Sequence, residues 1–168
     1  MNAKERERLF LELFHDYRER VVRLCRGYLT SPEDAEDLFQ EIMTRVWNSL
    51  PEFRGEARAS TWLYRIAVNS ALLYRRKSMP VVPLQDVADE RPAAPDEIDQ
   101  RERMAALHQA IAALAEQDRL IATLLLEGLS YKEIAEITGI TVNYVGVKIT
   151  RIKQALEKSV RESRYGNV

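Results

Sequence analysis

Apolar side chains recur every three or four residues along almost the whole chain, and this spacing limits the possible folds more than any other feature. Between residues 4 and 29 the stripe comprises Phe10, Leu13, Phe14, Tyr17, Val21, Leu24 and Tyr28. Such a period places these side chains on one face of an α-helix. No segment has the strict alternation of a half-buried β-strand, so we predict an all-α fold.

Two further helices are predicted before residue 78. Ser31 can cap the second helix, Pro32 suits its first turn, and Pro51 ends it. After a polar loop over residues 52–60, a third helix continues to about residue 77. The predicted buried side of this third helix consists of Trp62, Leu63, Ile66, Ala67, Ser70 and Leu73.

The segment 79–95 interrupts the helical pattern. It combines scattered acidic residues with four prolines, which is typical of an extended linker. These prolines are Pro80, Pro83, Pro92 and Pro95. Helical periodicity returns from about Asp96, so we predict two small helical domains, 1–78 and 96–168, joined by a Pro-rich acidic linker at 79–95.

A helix-turn-helix motif is predicted from Ser130 to Leu156. Ser130 and Glu133 fit a capping box, in which each side chain satisfies the other residue's backbone N–H. Gly139 can adopt the left-handed conformation of a tight interhelical turn, and Thr141 can cap the second helix. The predicted buried residues are Ile134, Ile137, Val145, Ile149, Ile152 and Leu156. This combination favours DNA binding over a purely structural helical hairpin.

The exposed side of the second helix of this motif carries candidate DNA contacts. Asparagine can form two hydrogen bonds with adenine, arginine can form two with guanine, and lysine can hold a phosphate. The candidate residues are Thr141, Asn143, Tyr144, Val147, Lys148, Arg151 and Lys153. Lys153, Lys158 and Arg161 could equally form an ordinary solvated face.

A second candidate nucleic-acid surface lies on the third helix. Arg65, Asn69, Leu72 and Arg76 are four, three and four residues apart, so they share one face. Arginine and asparagine beside aromatic side chains suit unpaired bases, which need a stacking surface and a positive groove for the backbone. The aromatic candidates are Trp62, Tyr64 and Tyr74. Because of its helical spacing, Trp62 is alternatively a core residue.

Composition restricts the classes of function. The chain is 46% apolar and 30% charged, which is typical of a soluble globular protein without a membrane-inserted segment. Its single cysteine, Cys25, forms no internal disulfide and is predicted to be buried, and two histidines provide no metal-ligand cluster. Paired catalytic carboxylates, a nucleophile–base motif and a Gly-rich phosphate loop are absent, so no enzyme, metal or cofactor is expected. Without a signal core at the N-terminus, we expect a cytoplasmic protein.

The net charge of −1 is distributed unevenly along the chain. Basic residues outnumber acidic ones in 53–77 and 148–164, whereas acidic residues concentrate in 33–52 and 86–102. Alternating blocks of this kind indicate two basic surfaces separated by a surface of a different kind.

Three blocks of sequence resemble one known family. In order, they are DAEDLFQEIMTRVW (34–47), FRGEARASTWLYRIAVNSALLYRRK (53–77) and GLSYKEIAEITGI (128–140). Arranged around an acidic Pro-rich linker, they closely resemble the extracytoplasmic-function sigma factors of bacterial RNA polymerase. The resemblance covers most of the chain outside the linker and the extreme ends. It implies a protein that gives core polymerase its promoter specificity and helps to melt DNA, without covalent chemistry of its own.

The resemblance also implies a role for each block. In that family the first block is the helix that docks on the coiled coil of the polymerase β′ subunit. The residues implied there are Asp34, Asp37, Leu38, Gln40, Glu41 and Arg45. The second block resembles the segment that opens the minus-ten element and captures the non-template strand. The residues implied there are Phe53, Arg54, Trp62, Arg65, Asn69, Arg76 and Lys77.

The last block resembles the domain that reads the minus-thirty-five element in the major groove. The implied partners are therefore core RNA polymerase, through its β′ and β subunits, promoter DNA and a membrane-linked anti-sigma factor. The two elements lie nearly two helical turns apart in this family, roughly 55 Å at about 35 Å per turn. A linker of roughly 18 residues reaches at most about 60 Å, so it can span them.

Two positions depart from the family pattern. Many relatives have Thr-Val-Lys-Ser-Arg where this chain has Tyr144-Val145-Gly146-Val147-Lys148. Gly146 costs about 1 kcal/mol of helix stability relative to alanine, and the base preferences of relatives do not transfer across it. The Leu-Pro that usually precedes this domain is Leu114-Ala115 here.

Two other classes of function compete with this reading. An ordinary helix-turn-helix activator or repressor would bind duplex DNA as a dimer, but it leaves the DAEDLFQEI helix and the Arg65–Asn69 face unexplained. A helical adaptor that binds only proteins would leave the basic residues merely solvated.

Overall fold

The computed structural model describes residues 2–77 and 95–165, apart from the side chains of 75–77, 95–102 and 163–165. These residues form seven α-helices and one 3₁₀ turn. The elements are α1 (Ala3–Tyr28), α2 (Pro32–Ser49), the 3₁₀ turn (Leu50–Glu52), α3 (Ala59–Lys77), α4 (Pro95–Ala112), α5 (Glu116–Leu126), α6 (Tyr131–Thr138) and α7 (Val142–Tyr165). No strand occurs in these two segments, and the all-α prediction is confirmed. Nor does either segment contain a helix with the length and apolarity to cross a bilayer.

The first three helices pack around a shared apolar core. α2 begins as the sequence predicts, because Ser31 Oγ accepts a hydrogen bond from the Asp34 N–H at 3.2 Å and Pro32 occupies the first turn. α1 packs along both α2 and α3, and its residues Leu24 and Cys25 are buried in the apolar core. Burial raises the pKa of the Cys25 thiol to about 12, so this cysteine is a small core residue.

The buried face of α3 differs in part from the prediction. Leu63, Ala67 and Ser70 are fully buried as expected, whereas Leu73 is 39% exposed, so its assignment to the core was wrong. The core-facing side is turned toward Tyr64, whose ring packs edge-on against the Tyr17 ring of α1 at a centroid distance of 6.4 Å. Apolar residues lie on several sides of α3, and this contact with α1 selects which of them are buried.

The last four helices form the second domain. α7 packs against α4, α5 and α6. Val145, Ile149 and Ile152 are buried as predicted, whereas Leu156, predicted for the same stripe, is only partly buried. α4 begins at Pro95, where proline suits a first helical turn. The rest of the linker predicted at 79–95 lies outside the described residues.

The two domains are in contact in this structure. α1 packs against α4 and α5, and α3 packs against α6, so one continuous apolar cluster includes residues of both domains. The sequence alone left open whether the domains pack together.

Candidate nucleic-acid and protein interfaces

The helix-turn-helix is built as its capping residues predict. The Ser130 N–H donates to Glu133 Oε2 at 2.8 Å, and the Glu133 N–H donates to Ser130 Oγ at 3.2 Å. These two bonds complete the capping box, and the bonds from Ser130 hold the pKa of the Glu133 carboxyl below its usual value. Gly139 follows α6 with a φ of 76°, and Thr141 Oγ1 accepts from the Tyr144 N–H at 3.2 Å. Caps therefore fix both ends of the interhelical turn.

Most of the predicted minus-thirty-five residues face solvent on α7 or at its start. The exposed residues of this set are Thr141, Asn143, Tyr144, Val147, Arg151 and Lys153. Tyr144 is 44% exposed and Val147 is 46% exposed, so both side chains are accessible on this surface. An exposed apolar side chain on a major-groove helix can contact the methyl group of thymine. The surface thus combines polar and apolar base-reading groups.

Lys148 is placed differently from the other members of this set. Its Nζ lies 2.7 Å from Asp118 Oδ1 on α5 and 5.6 Å from the centroid of the Tyr144 ring. The side chain is only 16% exposed. The charge of Lys148 is therefore neutralised inside the domain, which argues against its predicted use as a free phosphate contact.

The predicted minus-ten surface combines one aromatic pair with exposed polar groups. Phe53 and Trp62 are half-buried, with ring centroids 4.8 Å apart. Arg54, Arg65 and Asn69 are exposed on the loop and on α3. The side chains of two further predicted residues, Arg76 and Lys77, lie outside the described residues.

Two aromatic residues suggested for base stacking have structural roles instead. Tyr64 is 2% exposed and belongs to the core. The Tyr74 hydroxyl donates to Asp34 Oδ1 at 3.1 Å and so ties α3 to the start of α2. The stacking surface is thereby reduced to Phe53 and Trp62.

The predicted polymerase-docking helix, α2, has a clear division between its faces. Asp37 and Gln40 are exposed, while Glu41 and Arg45 form an ion pair at 2.6 Å within the helix. Leu38 has no exposed surface and belongs to the core, so it holds the docking helix in place from its buried side. The exposed part of this face is acidic and polar.

A shallow apolar cleft next to the docking helix escaped the sequence analysis. It lies between α1 and α2 and is lined by Phe10, Leu11, Met43 and Trp47 together with Glu7 and Thr44. Leu11 is 56% exposed and lies outside the α1 stripe that packs on the core. In the sequence, the signal for this cleft is Leu11, which falls outside the apolar stripe of α1.

The residues that join the two domains were also not predicted. They are Arg23, Tyr28 and Arg65 on one side, and Glu116, Arg119, Glu127 and Glu136 on the other. Arg119 is 5% exposed, and a buried arginine requires partners. It is the only charged residue in the stretch RLIATLLL, which was a signal that it has a structural partner.

Comparison with known proteins matches two parts of the chain to families of known proteins. Residues 13–79 match the Sigma-70 region 2 family, and residues 104–156 match the Sigma-70, region 4 family. The chain is 31% identical to the RNA polymerase sigma-H factor of Pseudomonas aeruginosa, over 92% of this chain and 88% of that protein. It is 33% identical to the ECF RNA polymerase sigma-E factor of Escherichia coli K12, over 86% of this chain and 83% of that protein.

Two solved structures share the fold. One is CnrH in complex with the cytosolic domain of CnrY, with a TM-score of 0.68 and 21% identity over 90% of this chain and 87% of that chain. The other is the sigma factor RpoE in complex with the anti-sigma factor NepR from Bartonella quintana, with a TM-score of 0.69 and 16% identity over 89% of this chain and 97% of that chain. Both sigma regions are present in order, and the sigma-H and sigma-E factors are matched over most of their length. The chain therefore belongs to the extracytoplasmic-function family of RNA polymerase sigma factors.

Proposed function

We propose that this chain docks on core RNA polymerase through α2 and gives it specificity for a two-part promoter. In this account Asp37, Gln40 and the Glu41–Arg45 pair contact the β′ coiled coil. Leu38 acts indirectly, by fixing the helix on the core. The observation that carries the proposal is the exposed acidic face of α2 beside two DNA-binding surfaces, since an acidic surface in a DNA-binding protein points to a protein partner.

The two DNA-reading surfaces act on different states of the promoter. The exposed side of α7 reads the minus-thirty-five element in the duplex. Arg54, Arg65 and Asn69 hold the separated strand of the minus-ten element, with an unpaired base on the Phe53–Trp62 surface. Unstacking a base costs a few kcal/mol, and contacts available only to the flipped base offset that cost. Binding energy therefore drives the melting, and the protein performs no covalent chemistry itself.

We therefore assign residues 1–78 to polymerase docking and melting of the minus-ten element. Residues 96–168 recognise the minus-thirty-five duplex, and residues 79–95 are the connecting linker. We place the protein in the cytoplasm, where its polymerase works. The two structural neighbours are described with CnrY and NepR bound, and on that basis we propose that a membrane-linked anti-sigma factor controls this chain as well. Affinity purification of the chain from its host should recover such a protein when transcription from its promoters is off, and recovery of core polymerase alone would contradict this part.

Run-off transcription with purified core polymerase tests the main proposal. The wild-type chain should select start sites that core polymerase alone does not use. Asp37→Arg should lower polymerase affinity and start-site selection together, because it reverses an exposed charge at the docking face. Asp16→Arg is the matched control, since Asp16 is an exposed acid that lies on α1 and not on α2.

Three results separate this proposal from its rivals. A simple activator would require a second sigma factor in the reaction, and a protein-only adaptor would leave the start sites unchanged. Equal effects of Asp37→Arg and Asp16→Arg would contradict the assignment of α2 as the docking helix.

A further inference from the structure

Val147 lies at the centre of the exposed side of α7. It is two residues from Val145 and two residues from Ile149, and both of these are buried. Two residues of an α-helix rotate the side-chain direction by about 200°, so Val147 is nearly opposite both buried neighbours. When α7 enters a major groove with its buried side on the domain, Val147 is therefore the side chain nearest to the floor of the groove.

Two polar side chains close to Val147 in the sequence are engaged within the protein. Lys148 Nζ donates to Asp118 Oδ1 at 2.7 Å, so its charge is neutralised inside the domain. Thr150 Oγ1 donates to the main-chain carbonyl of Gly146 at 3.0 Å, and this bond uses the only proton of the hydroxyl group. Neither side chain therefore supplies a hydrogen-bond donor to a base at the centre of this face.

The neighbours of Val147 along the exposed face are Tyr144, three residues earlier, and Arg151, four residues later. Tyr144 is 44% exposed, and its ring centroid lies 5.6 Å from Lys148 Nζ. A lysine cation at this distance from an aromatic ring is attracted to it, so Lys148 helps to hold the ring in place. Tyr144 and Val147 thus form an apolar pair at the centre of the face, with the exposed Arg151 beside it.

The major-groove edge of duplex DNA offers one apolar group, which is the 5-methyl group of thymine. The other three bases present hydrogen-bonding groups there, and an aliphatic side chain that covers such a group removes its water without supplying a partner. Burial of a thymine methyl group against the same side chain is favourable, because it removes apolar surface from water. An exposed valine at the centre of the face therefore favours thymine over the other bases.

We propose that Val147 is a specificity-determining residue of this chain and that it selects a thymine of the minus-thirty-five element by contact with the 5-methyl group. Tyr144 extends the apolar surface, and Arg151 is placed to bond a base or phosphate next to this thymine. The inference rests on the proposed function, in which α7 reads the minus-thirty-five duplex. The choice of thymine does not depend on how the chain docks on polymerase.

Selection from a randomised DNA duplex, followed by removal of single methyl groups, tests this proposal. The full chain is used for the selection both alone and bound to core polymerase. In the most tightly bound duplex, each thymine is then replaced in turn by uracil, which lacks only the 5-methyl group. Dissociation constants of the original and the substituted duplexes are measured for the wild-type chain and for the variants Val147→Ala and Val147→Ile.

Val142→Ala is the matched control for these variants. Val142 is also 46% exposed on α7, but it is five residues from Val147 and therefore about 140° around the helix from it. The same chemical change is thus made on a different side of the same helix.

Uracil at one thymine position should weaken binding of the wild-type chain about fourfold, the effect of one methyl-sized group that is no longer removed from water. Val147→Ala should lose most of this difference between the thymine and uracil duplexes. Val147→Ile should retain the difference, because isoleucine is also apolar and branched at Cβ. Val142→Ala should retain it as well.

Two results would overturn the proposal: equal binding of the thymine and uracil duplexes at every position, or a methyl dependence that survives in Val147→Ala. Run-off transcription with the same proteins keeps this result separate from the proposed function. A methyl-dependent thymine without new start sites supports the role of Val147 and refutes the polymerase function, whereas new start sites without such a thymine do the reverse. If neither arm selects a sequence, both the thymine contact and the reading of duplex DNA by α7 are refuted.

Discussion

Replacing Gly146 with alanine should stabilise the protein, although glycine stands here in the middle of the recognition surface. Gly146 is the fifth residue of α7 and has no positive φ, so its backbone conformation does not require glycine. A Cβ atom at this position would meet only the Tyr131 ring, at 3.9 and 4.0 Å. These are ordinary van der Waals distances, and no neighbouring atom would have to move.

The magnitude follows from helix propensity alone. Alanine is favoured over glycine in a helix interior by about 1 kcal/mol, and the new methyl group adds a small favourable contact with Tyr131. For a chain of this size, 1 kcal/mol corresponds to a rise in melting temperature of about 2–4 °C. Gly139→Ala is the matched control, because Gly139 has a φ of 76°, and alanine there should destabilise the protein by about 1 kcal/mol.

Urea denaturation followed by circular dichroism measures both changes as free energies of unfolding. Gly146→Ala should raise the free energy of unfolding, and Gly139→Ala should lower it. A lower free energy of unfolding for Gly146→Ala would show either that there is no room for a Cβ atom beside Tyr131 or that α7 is not a regular helix at this residue. Weaker binding of Gly146→Ala to a minus-thirty-five duplex, together with higher stability, would show that glycine is retained there for DNA contact.

Further predictions concern other contacts. Asp118→Ala should release Lys148, so the slope of log binding constant against log salt should steepen by about one phosphate contact, and an unchanged slope would contradict this. Arg119→Ala leaves three main-chain carbonyl groups without this donor and should lower the free energy of unfolding by about 3 kcal/mol in urea titrations; a loss below about 1 kcal/mol would refute its capping role. The pKa of Glu133 is lowered in the folded state from 4.5, so its stabilisation is complete above about pH 4.5 and is lost as the pH falls through the lower folded value. Glu133→Gln should therefore flatten the pH dependence of stability in that acid range, measured by thermal unfolding. Cys25, with a thiol pKa of about 12, should not react with a thiol reagent at pH 8 until the protein is unfolded, and fast reaction would contradict its burial.

Local signals in the sequence were sufficient for the helices and the capped motif. The capping box at Ser130, the left-handed Gly139 and the Ser31 cap depend on neighbouring residues only, and each forms as predicted. The buried stripe of α7 also follows from spacing alone. These features need no knowledge of which helices meet in space.

Features that depend on distant partners were predicted less well. Leu73 was predicted to be buried and Tyr64 to stack on bases, but Leu73 is exposed and Tyr64 is buried. The contact between α3 and α1 decides which side of this apolar helix is buried. Lys148 was expected at DNA, but Asp118 lies 30 residues earlier in the chain, and only the packing of α5 on α7 brings the two together. The Arg23–Glu127 pair spans 104 residues, a separation at which spacing carries no information.

Permanganate reactivity of promoter thymines tests the central claim of this account most directly, because it reports unpaired bases in the minus-ten element. With core polymerase and the wild-type chain, thymines of that element should become reactive. Arg65→Ala combined with Asn69→Ala should abolish most of this reactivity while polymerase binding, measured by co-purification, is retained; Arg18→Ala, at an exposed arginine of α1, should change neither. Full thymine reactivity in the double variant would contradict the assignment of the Arg65–Asn69 face to promoter melting.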